Sequence, residues 1–592
     1  MTIVNQVKPL FLSAIQSLYG QSFSENDLTI NTTKPEFEGD YTLVLFSFIK
    51  TLKKSPDQLG KEIGEYMVSN HPEIFTGYNL IKGFLNFTIA DQFWIQTVID
   101  NYNNNSFGVQ PPKTKKVVVE YASPNTNKPL HLGHLRNIFL GWSVAEILIA
   151  TGHDTVKTSI VNDRGIHICK SMIAWQLFAD GKTPETENMK GDHFVGEYYV
   201  KFNDEYKKQV EKLIAEGETK EEAEKNAPIL KATQQMLVDW EKGQPDVMEL
   251  WQRMNNWVYE GFDVTYNRIG CDFDKTYYES ETYLLGKKFV EQGLQHGVLY
   301  KKEDGSVWID LTNEGLDEKL VLRKDGTSVY ITQDLGLAQQ KYEDYTYDDS
   351  IYVIGDEQNY HMKVLKIIMQ KLKAPYADGI HHLSYGMVEL PSGRMKSREG
   401  TVVDADDLMD EMVKIAAEHT EASGKVKDFT DNELKDLYEI IGLGALKFFL
   451  IRVDPKKKMV FNPEESIDFH GFTGPFVQYT HARIKSILRK EMPENSYTLP
   501  LSGLLPEEKA LIILLEQYPV VLNQAAEEYN PGLLAIYAFT VAKNFNSFYT
   551  NLSVMNAESD HKKQLRLRLC QMTANIIASS MKLLGIRVPE RM

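Results

Sequence analysis

Two histidines with a glycine between them form the most informative pattern in the sequence. His131 and His134 are three residues apart, with Gly133 between them, in the stretch EYASPNTNKPLHLGHLR at residues 120–136. Side chains three residues apart share one face of a helix, so both imidazoles can donate hydrogen bonds to phosphate oxygens. Gly133 lacks a side chain and lets an adenine or a ribose approach the backbone. The pattern therefore favours the binding of a nucleotide.

Two other interpretations of the histidine pair remain open. An H-x-x-H pair on a helix is also compatible with a metal site, although no third ligand such as the glutamate of HExxH is evident nearby. The two side chains could instead be structural histidines of a protein core. The stretch contains neither G-x-G-x-x-G nor G-x-x-x-x-G-K-[ST], which argues against a dinucleotide-binding fold and against a P-loop.

The elements around the histidine pair predict an α/β fold. KVVVEYAS from Lys116 predicts a buried strand, a loop rich in Pro and Asn follows, and a helix extends from about Leu132 to Ala150, before Gly152. Further strand-like runs occur at TVKTSIV, GSVWIDL, SVYIT and SIYVIG, separated by helical stretches. Strands that alternate with helices indicate a parallel sheet, in which ligands bind where a strand meets the amino end of a helix.

The sequence divides into three regions. Residues 1–110 predict a small α+β domain, with a helix near residues 7–19 and strands in YTLVLFSFI and LIKGFLNFTI. A polar segment around Pro111 and Pro112 marks its end. Residues 111–455 contain the predicted parallel sheet and a charged helical insertion at about 181–257, and residues 456–592 predict an all-α bundle.

The composition fits a globular protein of several domains. The 592 residues are 42% hydrophobic and 25% charged, so each domain can bury a core. Cys169, Cys271 and Cys570 lie far apart, which argues against a disulfide framework and a cysteine-rich zinc site. No secretory leader and no run of eighteen apolar residues is visible, so we expect a soluble cytoplasmic protein. Taken alone, the net charge of −17 argues against a polyanion partner.

The tetrad HLGH resembles the HIGH signature of class I aminoacyl-tRNA synthetases, and the string ASPNTNKPLHLGHLRNIFLG resembles arginyl-tRNA synthetases in particular. The resemblance continues through VYITQDLG, YVIGDEQNYH, GRMKSREG and GPFVQYTHARIKSILRK, from about residue 110 to the end of the chain. It implies a Rossmann-like catalytic domain, an amino-terminal domain that contacts the tRNA elbow, and an anticodon-binding helical bundle.

The resemblance also implies a reaction. L-arginine is activated by ATP to arginyl-adenylate and then transferred to the 3′ end of its tRNA, with release of pyrophosphate and AMP. ATP would enter as its Mg²⁺ complex, and no tightly bound metal or organic cofactor is implied. The implied partners are tRNA, L-arginine and ATP, without a membrane, and the implied oligomeric state is a monomer.

The resemblance assigns ATP binding and catalysis to two segments. The implied ATP-binding residues are His131, Gly133, His134, His361, Met395, Lys396, Ser397 and Arg398, and the implied catalytic residues are Lys128, His131, His134 and Lys396. The glycine-flanked loop GRMKSREG departs from the KMSKS signature, because Ser397 stands where class I enzymes usually carry a catalytic lysine. Lys128 is implied to substitute for that lysine, and a solvated loop lysine is the alternative.

An arginine site needs carboxylates in a fixed geometry, because the guanidinium is planar and permanently charged. The residues that the resemblance places around arginine are Tyr330, Asp334 and Glu279 at the side chain and Ser123, Asn125 and Gln358 at the α-amino and carboxylate groups. Tyr330 and Asp334 are four residues apart, so both reach one pocket if TQDLGLAQQ opens a helix. Alternatively, Asp334 caps that helix.

The helical bundle is the expected tRNA surface. GPFVQYTHARIKSILRK mixes aromatic side chains, including Phe476 and His481, with basic ones, and the predicted tRNA contacts are Tyr479, Arg483 and Arg489. A second basic cluster consists of Lys562, Lys563, Arg566 and Arg568. A merely solvated helix face is the alternative for both.

The charge distribution supports this expectation. Residues 471–592 carry a net charge of +3, whereas residues 181–250 carry −6 and residues 401–440 carry −8. We therefore expect RNA to lie along the bundle and to avoid the two acidic stretches. Charge reversal in either acidic stretch should then leave aminoacylation nearly intact.

Three rival functions can be weighed from the sequence. The dispersed cysteines argue against a cysteinyl enzyme, and a glutamyl enzyme would present cations, not Asp334 and Glu279, to its substrate. A non-catalytic tRNA-binding paralogue is the third rival. The presence of both histidines, Gly133 and the glycine-flanked loop argues against it.

Overall fold

The computed structural model describes residues 2–34, 36–391, 403–422 and 428–592. Its amino-terminal unit is an antiparallel sheet of four strands in the order β1-β2-β4-β3, with helices packed against it. The elements are α1 (Ile3–Tyr19), β1 (Ile30–Thr32), β2 (Tyr41–Val44), α2 (Phe46–Leu52), α3 (Pro56–Asn70), β3 (Phe75–Ile81), β4 (Phe84–Ile89) and α4 (Asp91–Asn101).

Two of the expected strands in this unit differ from the structure. LIKGFLNFTI contributes to two strands, because Lys82 and Gly83 both adopt positive φ, +48° and +84°, and form the tight turn of a hairpin. YTLVLFSFI is a strand only over Tyr41–Val44, and helix α2 follows. Strand β2 ends there because its partner β4 begins at Phe84, which pairs with Val44.

The central unit contains a parallel sheet of five strands in the order β12-β11-β5-β6-β7. Its first half consists of β5 (Lys116–Glu120), α5 (Leu132–Ala150), β6 (Asp154–Val161), α6 (Ile166–Phe178), the inserted helices α7 (Pro184–Glu187), α8 (Gly191–Ala215), α9 (Lys220–Asn226), α10 (Pro228–Glu241) and α11 (Pro245–Ile269), and then β7 (Lys275–Tyr278). The chain runs outward from β5 to β7 and later returns to the other side of β5 as β11, so the strand order reverses between β5 and β11. A reversal of this kind opens a crevice at the carboxyl ends of the strands.

The second half of the central unit adds a small antiparallel sheet, β8-β9-β10, before the parallel sheet resumes. Its elements are α12 (Glu279–Thr282), α13 (Gly286–Gln295), β8 (Tyr300–Lys301), β9 (Val307–Ile309), β10 (Lys319–Leu322), α14 (Tyr330–Tyr345), β11 (Asp349–Gly355), α15 (Asn359–Lys371), β12 (Ile380–Tyr385), β13 (Val388–Glu389) and α16 (Ala405–Ala422).

Two segments that we expected as strands of the parallel sheet therefore belong to other elements. GSVWIDL supplies β9 of the antiparallel sheet, and SVYIT contains the start of helix α14 at Tyr330. A short apolar run does not distinguish strand from helix by periodicity alone. The residues that follow decide, because Ile331, Leu335 and Ala338 recur at helical spacing and are all buried.

The carboxy-terminal region is helical. Its elements are α17 (Asp431–Ile451), β14 (Met459–Val460), α18 (Pro463–Ser466), α19 (Gly474–Leu488), α20 (Pro506–Glu516), α21 (Tyr518–Glu527), α22 (Pro531–Asn551) and α23 (Asp560–Leu583). Strand β14 pairs with β13, and α5 packs against α17, so the bundle and the parallel sheet are joined.

Successive residues of β5 face different cores. Val117 and Val119 belong to a core that continues into the amino-terminal unit and the bundle, whereas Val118 faces a second core shared with α14 and α15. A parallel sheet covered on both faces requires this continuous apolar run. Among the residues that the structure describes, no helix is long and apolar enough to cross a membrane.

Candidate active site

The histidine pair lies at the amino end of α5, directly after the loop that follows β5. His131 is the residue before the helix, and its Nδ1 accepts a hydrogen bond from the Gly133 N–H at 3.1 Å. His134 Nδ1 accepts one from the His131 N–H, also at 3.1 Å. A neutral imidazole carries one proton, so a ring that accepts at Nδ1 carries that proton on Nε2. Both rings therefore present an Nε2–H donor.

Both imidazoles are neutral at pH 7. Burial lowers the pKa of His131 to about 4, and nearby Lys128 lowers it further. Burial also places the pKa of His134 well below its usual value, with His131 and Lys128 acting in the same direction. The pair supplies hydrogen-bond donors and not positive charge, so any charge neutralisation of a phosphate must come from other groups.

Glycine is favoured at position 133 for a second reason, besides the access that it gives to the backbone. A Cβ atom added there would lie 3.0 Å from His131 Cε1 and 3.1 Å from its Nδ1. The side chain would therefore push the His131 ring away from the hydrogen bond that fixes its proton on Nε2.

The turn before α5 is held by the segment that begins at Val403. The Leu132 N–H donates to Val403 O at 3.0 Å, and the Ala405 N–H donates to Leu130 O at 2.9 Å. Met395, Lys396, Ser397 and Arg398 lie outside the described residues. Lys128 is half-buried in the loop before His131, and its charge lowers the pKa of His131, His134 and His167.

A cavity of about 1030 Å³ opens at the carboxyl ends of β5, β6 and β11. Seven of the residues that the sequence analysis singled out line it: Ser123, Asn125, Glu279, Tyr330, Asp334, Gln358 and His361. The structure thus brings together all six residues expected around arginine. It adds His361, which was expected at ATP, and its Nε2 lies 2.5 Å from Asp334 Oδ2. Lys128 lies in the loop between β5 and α5, and His131, Gly133 and His134 lie at the amino end of α5; none of the four is in the lining of this cavity.

Helix α14 positions two of the lining residues. Tyr330 is its first residue, lies at the cavity rim and is 79% exposed. Asp334 follows one turn later on the same side. The residue before the helix is Val329, so Asp334 does not cap it.

Glu279 is held in the wall of the cavity. Asp163 Oδ1 accepts from the Ser280 N–H at 2.8 Å, and its Oδ2 accepts from the Ser280 hydroxyl at 2.7 Å, which fixes the turn that carries Glu279. Burial raises the pKa of Glu279 to about 7, with Arg164 opposing the shift and Asp163 adding to it. Glu279 is therefore only partly ionised at neutral pH.

The sequence analysis missed several charged lining residues: Glu120, Arg164, Glu241, Lys287 and Arg323. Arg164 lies 3.1 Å from Glu241 and 3.9 Å from Glu279, and its guanidinium is stacked 4.0 Å from the Tyr283 ring. Glu120 is a buried carboxylate at the end of β5. Arg164 and Glu120 could have been found, because each lies at or just after the carboxyl end of a predicted strand. No comparable signal marks Glu241.

A buried amide links the two strands at the crevice. Asn137 Oδ1 accepts from the Ala122 N–H at 2.7 Å, and Asn137 Nδ2 donates to Val353 O at 2.7 Å. Ala122 adopts a φ of +56°, a conformation that is uncommon for a residue with a side chain. Asn137 of α5 therefore holds the loop after β5 against the end of β11.

The two acidic stretches are not merely solvated. Glu241 of α10 lines the cavity, and Asp406 accepts from Lys190 Nζ at 2.6 Å and lies 2.9 Å from His193 Nε2. We therefore do not extend to these two residues the prediction that charge reversal leaves aminoacylation nearly intact. Within the described part of the chain, Asp192, His193 and Asp406 are the one group spaced to hold a metal ion, and the Lys190 ammonium already contacts both of its carboxylates.

The predicted tRNA contacts lie on or next to α19. Arg483 donates to Asn546 Oδ1 at 2.6 Å and lies over the rings of Tyr479, at 4.9 Å, and Tyr549, at 6.0 Å. Arg489 is exposed and donates to Glu590 O at 2.8 Å. His481 is buried and its Nδ1–H donates to Pro589 O, so it does not present a stacking surface.

Two members of the second basic cluster, Arg566 and Arg568, do not lie on the surface, and the expectation is wrong for them, whereas Lys562 and Lys563 are half-buried. Arg566 is 1% exposed, and its Nε donates to buried Glu508 at 2.9 Å. Arg568 is 2% exposed and donates to Tyr497 O at 2.6 Å. A predicted helix shows where basic residues lie along the chain but not which face is packed, and here the apolar contacts of α23 bury both guanidiniums.

Three family models match the chain. The model described as "tRNA synthetases class I (R), catalytic domain" matches residues 95–462, "DALR anticodon binding domain" matches residues 477–592, and "Arginyl tRNA synthetase N terminal domain" matches residues 5–89. The parallel sheet with its reversed strand order, the histidine turn at its crevice and the first of these matches define a class I aminoacyl-tRNA synthetase.

Curated relatives and solved structures match this protein along its whole chain. An arginine–tRNA ligase of Bacteroides thetaiotaomicron is 50% identical over 100% of both chains, and one of Amoebophilus asiaticus is 52% identical over 98% of both. The solved arginyl-tRNA synthetase of Thermus thermophilus, 24% identical, covers 100% of both chains with a TM-score of 0.80 and shares the fold. The chain belongs to the arginyl-tRNA synthetase family.

Proposed function

We propose that the protein joins L-arginine to its tRNA in two steps. The α-carboxylate of arginine attacks the α-phosphorus of ATP and expels pyrophosphate, which forms arginyl-adenylate. A hydroxyl of the terminal ribose, the 2′-hydroxyl by resemblance, then attacks the carbonyl carbon and releases AMP. The observation that carries this proposal is the cavity at the reversal of strand order, which gathers four carboxylates beside a turn with two Nε2–H donors.

The arginine side of the proposal rests on charge and position. Asp334, Glu279 and Glu120 present carboxylates to one cavity, as a guanidinium requires. Tyr330, at the rim, lies over the entrance and covers the substrate side chain. Ser123, Asn125 and Gln358, from the loop after β5 and the segment after β11, hold the α-amino and carboxylate groups.

The ATP side combines neutral donors with cations. His131 and His134 donate Nε2–H groups to phosphate oxygens, and Gly133 lets the nucleotide approach the backbone. Since both imidazoles are neutral, the leaving pyrophosphate needs positive charge from Lys128, from Lys396 and Arg398 of the glycine-flanked loop, and from the Mg²⁺ that accompanies ATP. His361 and Met395 complete the proposed nucleotide site, together with Ser397.

The tRNA side is assigned to the two ends of the chain. We assign residues 1–110 to contact with the tRNA elbow, residues 111–455 to catalysis and residues 456–592 to the anticodon arm. Arg483, Arg489 and Tyr479 are the proposed contacts in the bundle. By resemblance, the enzyme acts as a monomer in the cytoplasm and needs bound tRNA before it activates arginine.

One assay tests the proposed function. Purified protein, ATP, Mg²⁺ and total tRNA are incubated with labelled arginine, lysine or glutamate, and acid-precipitable label is counted. Label from arginine alone is the expected result, whereas label from another amino acid, or none at all, would refute it. Pyrophosphate exchange with and without tRNA tests the order of binding, and equal rates would contradict the requirement for tRNA.

A further inference from the structure

Helix α14 carries a lysine that is buried directly behind the arginine cavity. Lys341 lies seven residues after Asp334, two turns along the same face of the helix, and its side chain is 0% exposed. Its Nζ lies 3.1 Å from Glu120 Oε2 and 3.2 Å from Ser350 Oγ, and 3.6 Å from the centre of the Tyr352 ring. Among the described ion pairs, Glu120 is the one carboxylate that Lys341 contacts.

The register of the sheet explains why these groups meet. Tyr352 of β11 is the partner of Glu120 in β5, and Ser350 lies two residues earlier, on the same face. Glu120 and Tyr352 line the cavity, whereas Lys341 does not. The lysine therefore contacts the floor of the cavity from behind, where a substrate does not reach it.

The opposite charges of Lys341 and Glu120 make their contact relevant to substrate binding. The Glu120 side chain is 5% exposed, and a buried charge is costly unless a group of opposite charge lies close to it. Burial lowers the pKa of the Lys341 ammonium, and the Glu120 carboxylate opposes that shift. Each group is therefore the charge partner of the other in this buried position.

We propose that Lys341 is a positioning residue for arginine. It holds Glu120 through Oε2, so that the other carboxylate oxygen can accept a hydrogen bond from the substrate guanidinium. This inference rests on the proposed function, because it takes Glu120 as part of the arginine site. Lys341 itself touches neither arginine nor ATP.

A purely structural role predicts something different. Removal of one member of a buried ion pair destabilises a protein, whereas removal of both members is often neutral. A structural lysine would change the melting temperature and leave the Michaelis constant for arginine alone. A positioning lysine changes that constant, and does so only while Glu120 is present.

The test is a double-variant cycle on the full chain, read by pyrophosphate exchange with tRNA present. Lys341→Met should raise the arginine KM roughly tenfold or more, with kcat and the ATP KM changed by less than about threefold. In the Glu120→Gln background the same substitution should add less than about threefold to the arginine KM. Lys341→Arg, which keeps the cation, should restore the arginine KM to within about threefold of wild type.

Two controls separate the outcomes. Lys366→Met removes a lysine of α15 that donates to Asp378 O and Ile380 O, and it should leave the arginine KM unchanged. If Lys341→Met does not fold, as judged by thermal unfolding, Lys341→Gln takes its place in the cycle, because it keeps a donor for Ser350 without the charge. An unchanged arginine KM, or equal effects of the substitution with and without Glu120, would overturn the proposal. A wild-type protein that does not activate arginine would instead overturn the proposed function.

Discussion

His361 Nε2 lies 2.5 Å from Asp334 Oδ2, so the carboxylate at the centre of the proposed arginine site has a protein partner. His361 comes from the start of α15 and Asp334 from the first turns of α14. An incoming guanidinium must therefore share Asp334 with His361 or displace it. The contact holds the carboxylate in place before the substrate arrives. This lowers the entropic cost of ordering the side chain when the substrate binds.

Loss of the charge at Asp334 should damage arginine binding selectively. Asp334→Asn keeps the size of the side chain and removes the charge-assisted hydrogen bond to the guanidinium, which contributes about 1.5–3 kcal/mol. We expect the arginine KM to rise by roughly ten- to a hundredfold. The ATP KM should change far less. Pyrophosphate exchange with tRNA present, titrated separately with each substrate, measures both, and an arginine KM equal to that of wild type would exclude Asp334 from the site.

Arginine use should depend on pH through Glu279. Its pKa of about 7 lies above the usual value, so the proton is bound below pH 7 and is lost above it. Arginine is a cation and favours the ionised carboxylate, so kcat/KM for arginine should rise with pH through about 7 and then level off. The His131 imidazole adds no step above pH 5, because its pKa is about 4, and burial places the pKa of His134 well below its usual value.

The matched variant for this profile is Glu279→Gln. It removes the titrating group, so its kcat/KM for arginine should lose the rise near pH 7. Profiles of wild type and variant are compared at saturating ATP and tRNA, with kcat/KM for ATP as the internal reference. Superimposable profiles would show that another group titrates.

Charge reversal on α19 should weaken tRNA binding. Arg483→Glu and Arg489→Glu together replace two cations with two anions on the basic face of the bundle. We expect the tRNA KM to rise at least roughly tenfold and the salt dependence of binding to become shallower. Filter binding of tRNA at several salt concentrations measures both quantities.

Arg253→Glu is the control for the bundle variants. Arg253 is an exposed arginine of the insertion that pairs with Glu249, and it lies far from α19 in the chain. The same charge reversal there should leave the tRNA KM within about twofold of wild type, because an exposed pair contributes little. A comparable loss of tRNA affinity in all variants would point to overall charge, not to the bundle surface.

Arg566 should behave as a stability residue. Arg566→Met leaves the buried Glu508 carboxylate without one of its two cations, and loss of one partner of a buried pair costs about 3–5 kcal/mol. We expect a clearly lower melting temperature, with an unchanged tRNA KM for the protein that remains folded. Thermal unfolding followed by circular dichroism gives the first quantity and aminoacylation below the transition gives the second; a variant as stable as wild type but poor in tRNA binding would contradict this account.

The sequence by itself determined the elements that have a strong local pattern. Helix α5 begins at Leu132 and ends at Ala150 as predicted, because a long apolar run between a Pro- and Asn-rich loop and Gly152 leaves little choice. Strand β5 was predicted for the same reason. The runs of GSVWIDL and SVYIT were too short to distinguish strand from helix or one sheet from another, because their neighbours in space decide both.

Some residues of the arginine cavity were likewise predicted from the sequence, and others were found only in the tertiary structure. The resemblance gave Asp334, Glu279 and Tyr330 from local motifs, but it gave neither Arg164 nor Glu241, which meet from different elements of the chain. The burial of Lys341 behind Glu120, and of Arg566 beside Glu508, was equally invisible, because 221 and 58 residues separate the partners. Local periodicity records which face of an element is apolar, whereas the partner of a buried charge depends on how distant elements pack, and only the tertiary structure fixes that packing.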